Sequence, residues 1–524
     1  MASPAEPQGF TGGHNPWVVA MTVTLATFME ILDTSIANVS LPHIAGNLSV
    51  SQDESTWVLT SYLVSNAIVL PVSGWFATRF GRKRFYMTCV VLFTTSSFLC
   101  GIAPNLGALV FFRVLQGLGG GGLGPSEQAI LADTFPPRQR GMAFAMYGMA
   151  VVLAPAIGPT LGGYITDHFT WRWVFFINIP VGIVSLIVSN RVVVDPPHLA
   201  EARRRAGPID YVGLALIAVG LGALEIVLDT GQEHDWFADR SVTAYSIVAA
   251  VCLVSFAIWE WNQEHPVVDV RMFRSRSFAT SNLMMLVLGV SLFGSTVLLP
   301  QYTQVWLGWS AQQAGEALSP GGLTVIVLLP LVGQLISRFD ARWLIAFGFL
   351  VLSAALFHIA YTLYPGIDFR TTMLLRVYQS VGMAFLFVPI NTVAYAGVPP
   401  EKNNQVSGII NLSRNMGGDI GIAFVTTLIA RRSQFHQARL AEAVTPGSGS
   451  VLSELAGIAR ALEHAGSASA QATRQAYGAV YRQLIQQAQT LAYLDAFWLL
   501  GWFALVMVPL VFLTRPVKGG RMGH

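Results

Sequence analysis

Fourteen runs of about 20 mostly apolar residues, each long enough to cross a roughly 30 Å hydrocarbon layer, dominate this sequence. They begin near residues 17, 54, 84, 106, 141, 173, 210, 241, 279, 316, 342, 370, 408 and 491. Backbone polar groups in lipid must be satisfied within the segment, so runs of this length fold as helices. An all-α, multi-pass membrane protein is expected. Only 11% of the 524 residues are charged, against about 25% in soluble domains, too few to cover a globular surface. The first run has no basic flank and no small-residue cleavage site, and reads as a retained span rather than a secretory signal.

Basic residues set the orientation. With a cytoplasmic N-terminus, nineteen of them fall in inside loops, including Arg79, Arg82, Lys83, Arg84, Arg138, Arg205, Lys402, Lys518 and Arg521. The short outside loops hold only Arg172, Arg240 and Arg370, and six more arginines lie in one long outside loop. Both termini are therefore expected to be cytoplasmic. The net charge of +3 is a topology signal and not a nucleic-acid footprint. Cys89, Cys100 and Cys252 lie in apolar runs and read as packing residues, with no disulfide framework or metal-ligand spacing.

The chain repeats itself once. Arg113, Gln116, Gly119 and Pro136-Pro137 recur at the same offsets as Arg376, Gln379, Gly382 and Pro399-Pro400. Duplication of a six-span half is the build of many secondary transporters. It predicts a six-helix bundle over 1–192, linkers and two extra spans over 193–278, and a second six-helix bundle over 279–524. The linker DPPHLAEARRRAG (195–207) precedes the extra spans. A long outside loop, 431–490, contains the flexible TPGSGSV stretch. It also places Val480, Tyr481, Leu484, Ile485 and Ala488 on one helical face. Either a surface hairpin or a docking surface for an extracytoplasmic partner fits that pattern.

RVLQGLGGGGLGPSEQ (113–128) matches G-x-G-x-x-G, but no strand precedes it and no cytosolic βαβ unit could hold a dinucleotide. No G-x-x-x-x-G-K-[ST] motif is present, which argues against ATP-driven pumping. Small residues let helices approach closely in lipid, so the run is read as a helix–helix contact. Arg113, at its head, is a costly intramembrane charge that marks a partner or a pathway. Asp33 lies roughly 12 Å inside the end of the first span and Arg113 about 10 Å inside its own, by the 1.5 Å helical rise, so the two sit at matching depth. Glu30 shares the Asp33 face at i, i+3. A static structural pair is the alternative to a proton-coupling one. Downstream, Pro155 and Pro159 invite kinks, while Gly158, Gly162 and Gly163 permit close packing.

These motifs resemble those of the major facilitator superfamily, and within it the fourteen-span drug:proton antiporters of the EmrB/QacA multidrug efflux type. The likeness rests on LDTSIANVSLP (32–42), GWFATRFGRKR (74–84), RVLQGLGGGG (113–122), APAIGPTLGG (154–163) and WRWVFFINIPVG (171–182). A looser match runs through NQVSGIINLSRNMGGDIGIA (404–423). The resemblance implies proton coupling by Asp33 and Arg113, with Glu30 beside them. It makes Gly158, Pro159, Gly162 and Gly163, with Pro155, an antiporter signature, and Gly74, Gly81, Arg82 and Lys83 a cytoplasmic gate loop. Thr78 stands where an aspartate is common in the family, and Glu127 where small polar residues are more usual. A location in the cell inner membrane, a periplasmic adaptor and a TolC-type outer-membrane channel are further implications.

The expected activity is proton-driven multidrug efflux by alternating access, with no enzyme chemistry, cofactor or metal. Asn38, Gln116, Glu127, Gln301, Tyr302, Phe385, Asn391 and Asp419 are candidate cavity residues. Asn282 and Gln304 are polar span residues of the same kind. A dedicated exporter of one metabolite, such as a siderophore, peptide or aromatic acid, is the same-fold alternative. A non-transporting membrane scaffold is the alternative of a different class.

Overall fold

The computed structural model describes residues 12–204, 207–444 and 449–516, and within them every regular element is helical. Arg205 of the charged linker, positions 445–448 of the TPGSGSV stretch, and Lys518 and Arg521 lie outside the described residues. The first half comprises α1 (Pro16–Leu48), α2 (Gln52–Phe80), α3 (Arg82–Gly101), α4 (Leu106–Gly120), α5 (Leu123–Thr134), α6 (Pro137–His168), the single turn α7 (Trp173–Phe176) and α8 (Asn178–Val192). A linker helix, α9 (Pro197–Arg204), leads to α10 (Tyr211–Thr230) and α11 (Arg240–Asn262). The second half comprises α12 (Arg276–Leu307), α13 (Ala311–Leu335), α14 (Ala341–Thr362), α15 (Phe369–Tyr395), α16 (Asn403–Ala443), α17 (Gly449–His464) and α18 (Ser469–Leu510).

Polar residues between the apolar runs start these helices. Ser51 and Ser310 form capping boxes with Glu54 and Gln313, while Asn15, Asp340 and Asp368 accept from first-turn amides. Such caps satisfy amide groups that have no partner within the helix. Among the described residues, eleven helices are long and apolar enough to cross a membrane, or twelve when α6, bent by 41° at Pro155–Ile157, counts as one span. The runs near 84 and 408 form α3 and α16, but these are less apolar than the others. α3 opens on Arg82, Lys83 and Arg84, and α16 carries Asn411, Arg414, Asn415 and Asp419. Both pack between other helices, α3 against α4 and α8, and α16 against α2, α12 and α18.

The repeat extends well beyond the motif that reveals it. Arg113 and Arg376 lie 263 positions apart, as do Gln116 and Gln379, and Leu106 and Phe369 at the starts of α4 and α15. The contacts repeat in the same register. Gly119 packs on Cys89 of α3, and Gly382 packs on Leu352 of α14, again 263 positions further on.

The two halves touch at the end where the described chain begins and ends, here called basal. There Gly74 of α2 lies against the Asn404 backbone, Gly141 of α6 against Gly333 of α13, and Gly408 against the Leu70 carbonyl. At the opposite, distal end α16 and α18 run on. With 41 and 42 residues, each is about 60 Å long, twice the hydrocarbon thickness. Arg432 and His436 on α16 hold Asp495 on α18 at 2.5 and 2.7 Å, and α17 folds back onto α18. The face expected over 480–488 is partly corrected: Ala472, Ala476 and Ala488 are buried, whereas Tyr481 is exposed.

Candidate functional site

Asp33, midway along α1, is the centre of a buried polar cluster. Its Oδ2 accepts from Arg113 Nη1 at 2.6 Å, and its Oδ1 accepts from Gln116 Nε2 at 3.0 Å and Asn178 Nδ2 at 2.6 Å. Arg113 also donates from Nε to the Val58 carbonyl at 2.9 Å and from Nη1 to Gln116 Oε1 at 2.9 Å. The Tyr62 ring lies under the guanidinium, 4.3 Å from its carbon. Both ionic side chains are about 1% exposed or less. Such burial demands near-complete hydrogen bonding, because desolvation costs several kcal/mol per ion. The cluster meets that demand except at Arg113 Nη2, which has no partner.

The close helix packing behind the cluster comes from the glycine run. A side chain at Gly117 would strike the Tyr62 carbonyl and Ser65, one at Gly121 the Asn66 carbonyl, and one at Gly122 Cys89. The run thus seats α4 on α2 and α3, as small residues do in lipid. It binds nothing.

Tyr62 connects this cluster to a second one. Its hydroxyl donates to Glu30 Oε1 at 2.8 Å, and Asn66 donates to the same oxygen at 3.1 Å. Glu127 is wholly buried on α5, accepts from Thr24 at 2.5 Å, and has no partner for Oε2. Arg414 of the second half lies within electrostatic range of both acids. It donates to Tyr147 Oη at 2.9 Å; Tyr147 donates to Asn411 Oδ1 at 2.8 Å, and Asn411 donates to Gln128 Oε1 at 2.9 Å. Tyr147 and Gln128 belong to the first half, so this chain of bonds bridges the two.

The proline-glycine stretch of α6 packs beside Asp33. Pro159 has no N–H to give the Pro155 carbonyl four residues back, and Ser35 Oγ donates to that carbonyl instead, at 3.4 Å. Gly158 lies against Ser35 and Gly162 against Ile36, with no room for a side chain at Gly158. Gly163 differs, since nothing stands within 4 Å of a Cβ built there. It is not a packing glycine, contrary to expectation. Beyond its bend the same helix carries Gly141, part of the basal contact.

At the basal end, Gly81 holds φ at +95°, a conformation that favours glycine, and turns the chain between α2 and α3. Arg82 donates to Asp133 at 2.6 Å, to the Ala129 carbonyl at 3.0 Å and, across the halves, to Asn404 at 2.7 Å. Asn403 donates to the other Asp133 oxygen at 2.7 Å, and His198 of α9 stands 3.3 Å from Asp133. Lys83 is fixed to Asp195 and to the Asn190 carbonyl. Thr78, in the aspartate position, bonds to its own helix and only at 3.5 Å to Asn404, so Asp133 serves as the acid for Arg82.

The other candidate residues scatter. Gln116 belongs to the Asp33 cluster. Tyr302 bonds to Thr490 and packs on Tyr493, and Phe385 packs on Phe347, so both are held within the second half. Asn282 accepts from Ser413 between α12 and α16. Asn391 is buried and donates to its own helix. Asn38, Gln301 and Gln304 are exposed. Asp419 hydrogen-bonds Glu225 of α10. Sequence reasoning missed Asn178, Tyr62, Asn66, Tyr147 and Asp133. Asn178 stood in the quoted FINIP stretch, where an amide inside an apolar run was the available signal.

Among the described residues no group of three or more His, Cys, Asp or Glu side chains is placed to hold a metal. The sequence matches the Major Facilitator Superfamily over residues 23–422. It is 35% identical to the multidrug export protein EmrB of Escherichia coli K12, over 97% of this chain and 96% of that one. It is 36% identical to the fatty acid resistance protein FarB of Neisseria gonorrhoeae, over 98% and 99% of the two chains. Among solved structures, the proton:xylose symporter XylE superposes with a TM-score of 0.64 at 13% identity, covering 98% of each chain. The human organic anion transporter MFSD10 superposes with a TM-score of 0.58 at 15% identity, covering 94% of this chain and 100% of that one. These two likenesses concern the fold alone.

Proposed function

The chain belongs to the major facilitator superfamily, and on that premise we propose that it is a proton-coupled multidrug efflux permease of the cell inner membrane. The observation that carries this reading is the Asp33–Arg113 pair, in which the α1 carboxylate is held inside the spans by partners from α4 and α8. In the proposed topology all fourteen runs span the membrane and both termini are cytoplasmic. The interior packing of α3 and α16 and the basic residues at the basal end support it. Residues 1–192 and 279–524 are then the moving halves, with 193–278 as linkers and extra spans, and the conformation described is closed toward the cytoplasm.

In this mechanism a proton from outside neutralises Asp33 and removes the charge that holds Arg113. Glu30 lies one turn away, connected through Tyr62. Asp33 is two residues from Ser35, whose contact with Gly158 and the Pro155 carbonyl couples α1 to α6. Movement of α6 is transmitted past its bend to the Gly141–Gly333 seal, so protonation biases which end is open. Amphipathic toxic compounds occupy the central space beside Glu30 and Glu127, and their binding competes with the proton. The distal projection of α16, α17 and α18 is the surface for a periplasmic adaptor, through which a TolC-type channel is reached. The relation to FarB, named for resistance to one compound class, favours export of a narrower substrate set as the second reading.

Everted membrane vesicles with an imposed proton gradient and a pH-reporting dye test the proposal. Lipophilic cations and aromatic acids should each release protons from wild-type vesicles and not from Asp33→Asn vesicles. Release by one compound class alone would move the assignment to the narrower exporter. Proton-gradient-driven accumulation by Asp33→Asn would end the coupling mechanism.

A further inference from the structure

The first of the two extra spans carries acids that the coupling mechanism does not use. Glu225 of α10 is 2% exposed and hydrogen-bonds Asp419, which is half-buried on α16 of the second half. One turn further along α10, Asp229 accepts from Thr60 of α2, in the first half. Gly222 brings α10 onto Val64 and Ile68 of α2. Beyond the end of α10, Trp236 Nε1 donates to Thr427 of α16 at 2.9 Å. Helix α10 thus lies across the seam between the halves and is joined to each of them through a carboxyl group.

Two ionised carboxylates only accept, so a hydrogen bond between Glu225 and Asp419 exists only while one of them carries a proton. The surrounding charges favour that proton. The helices packed on α10 are α2, α11 and α16. Of their ionisable groups only Asp419 acts on Glu225, joined by Asp229 from α10 itself, and Asp419 in turn faces Glu225 and Asp229. Asp33 has Arg113, and Glu30 and Glu127 have Arg414. Here no basic side chain among the described residues lies within electrostatic range of any of the three acids. Nor do the three converge as a metal site would. Glu225 Oε2 is enclosed and accepts from no donor. Like charges in contact and a buried oxygen without a donor both disfavour ionisation. The more buried group keeps the proton, so Glu225 donates and Asp419 accepts. We propose that Glu225 and Asp419 form a second proton-binding site, separate from Asp33, whose proton latches the extra spans to the second half. When the proton passes to water, two carboxylates are left in contact and α10 is repelled from α16. No other bond changes.

Infrared difference spectroscopy of the full chain in lipid nanodiscs at about pH 8, with deuterium exchange to mark acid carbonyls, tests the site. Wild type and Asp33→Asn should both show an acid carbonyl band that Glu225→Gln and Asp419→Asn each remove. In either variant the new amide donates to the remaining carboxylate, so melting temperatures should stay close to wild type. One shared proton further predicts that the double variant loses no more of the band than a single one. Should a single variant fail to fold, the double variant, whose amides bond each other, still reports whether the band is lost. No acid band in wild type, a band that survives the substitutions, or losses that add in the double variant would overturn the inference. The latch has its own readout, with spin labels on cysteines placed at Glu233 and Arg431, both exposed. Their separation should grow between about pH 6 and about pH 9 in wild type and stay constant in Glu225→Gln, where the amide holds Asp419 at every pH. A separation independent of pH in both would overturn the latch.

Discussion

The three glycines of the α6 signature are alike in sequence and unlike in place, which gives a graded prediction. A Cβ at Gly158 would stand 2.5 Å from Ser35 Cβ, where carbon atoms at rest keep about 3.5–4.0 Å. Ser35 can rotate its hydroxyl away but cannot move its Cβ, so α6 and α1 must separate by roughly 1 Å. Overpacking of that kind costs about 1–3 kcal/mol, offset by about 0.5–1 kcal/mol for replacing a helical glycine. Gly158→Ala should therefore destabilise by roughly 1–2 kcal/mol on those terms. At Gly162 the nearest atoms are Ile36 Cγ2 at 3.2 Å and the Ile36 Cα and carbonyl oxygen at 3.3 Å, tight but short of the clash at Gly158, so alanine there should cost less than at Gly158. At Gly163 the space is open, and alanine should be neutral or slightly stabilising. Melting temperatures of the purified variants read the order directly, and transport should fall with Gly158→Ala, because the displaced residue is two positions from Asp33. If Gly163→Ala melts as early as Gly158→Ala, the packing argument is wrong.

Other consequences can be checked in the same preparations. Arg113→Gln leaves Asp33 buried without its cation and should destabilise by about 3–5 kcal/mol; adding Asp33→Asn should recover part of that, measured by thermal melting. Asp269, in the basal loop after α11, is paired with Lys402 at 2.7 Å and Arg271 at 3.0 Å. Burial alone would raise its carboxyl, but the hydrogen bonds and charges of Lys402 and Arg271 outweigh burial and hold it below its ordinary value. A depressed folded-state value means stability that is present above the unfolded value near pH 3.9 and lost as pH falls through the folded one. Asp269→Asn should thus be less stable than wild type at pH 6 and equal to it once the pH is well below about 4, by melting across that range. Removing residues 440–485 should abolish drug resistance in whole cells and spare transport in vesicles; loss of both would assign the α17 hairpin to folding.

Much of the fold was legible because a bilayer allows so few solutions. Apolar length fixed the helices, and a charge inside a span had to find a partner at its own depth, which led from Arg113 to Asp33. The repeat was visible in five residues, although its full register required the packing of Gly119 and Gly382. Periodicity could not tell which buried face of a helix meets a neighbour and which meets the space between halves. Tyr302 and Phe385 were therefore candidates from the sequence, and in the structure they lie against Tyr493 and Phe347. Gly163 looked like Gly158 for the same reason. Asn178, Tyr147 and Asp133 are held in their networks by residues 51 to 270 positions away, and no local pattern in the sequence announces such pairings. The polar residues of α16 are held by neighbouring helices, Asn411 and Arg414 by Gln128 of α5 and Tyr147 of α6, and Asp419 by Glu225 of α10.

The central claim is that Asp33 carries the proton that drug binding displaces. Purified protein in weakly buffered detergent, with a pH-indicator dye, tests it without a membrane gradient or an adaptor. Addition of a lipophilic cation that binds wild type should release protons, and Asp33→Asn should bind the same compound with no release at that site. Equal proton release from wild type and Asp33→Asn would contradict the account and leave the Asp33–Arg113 pair as a structural one.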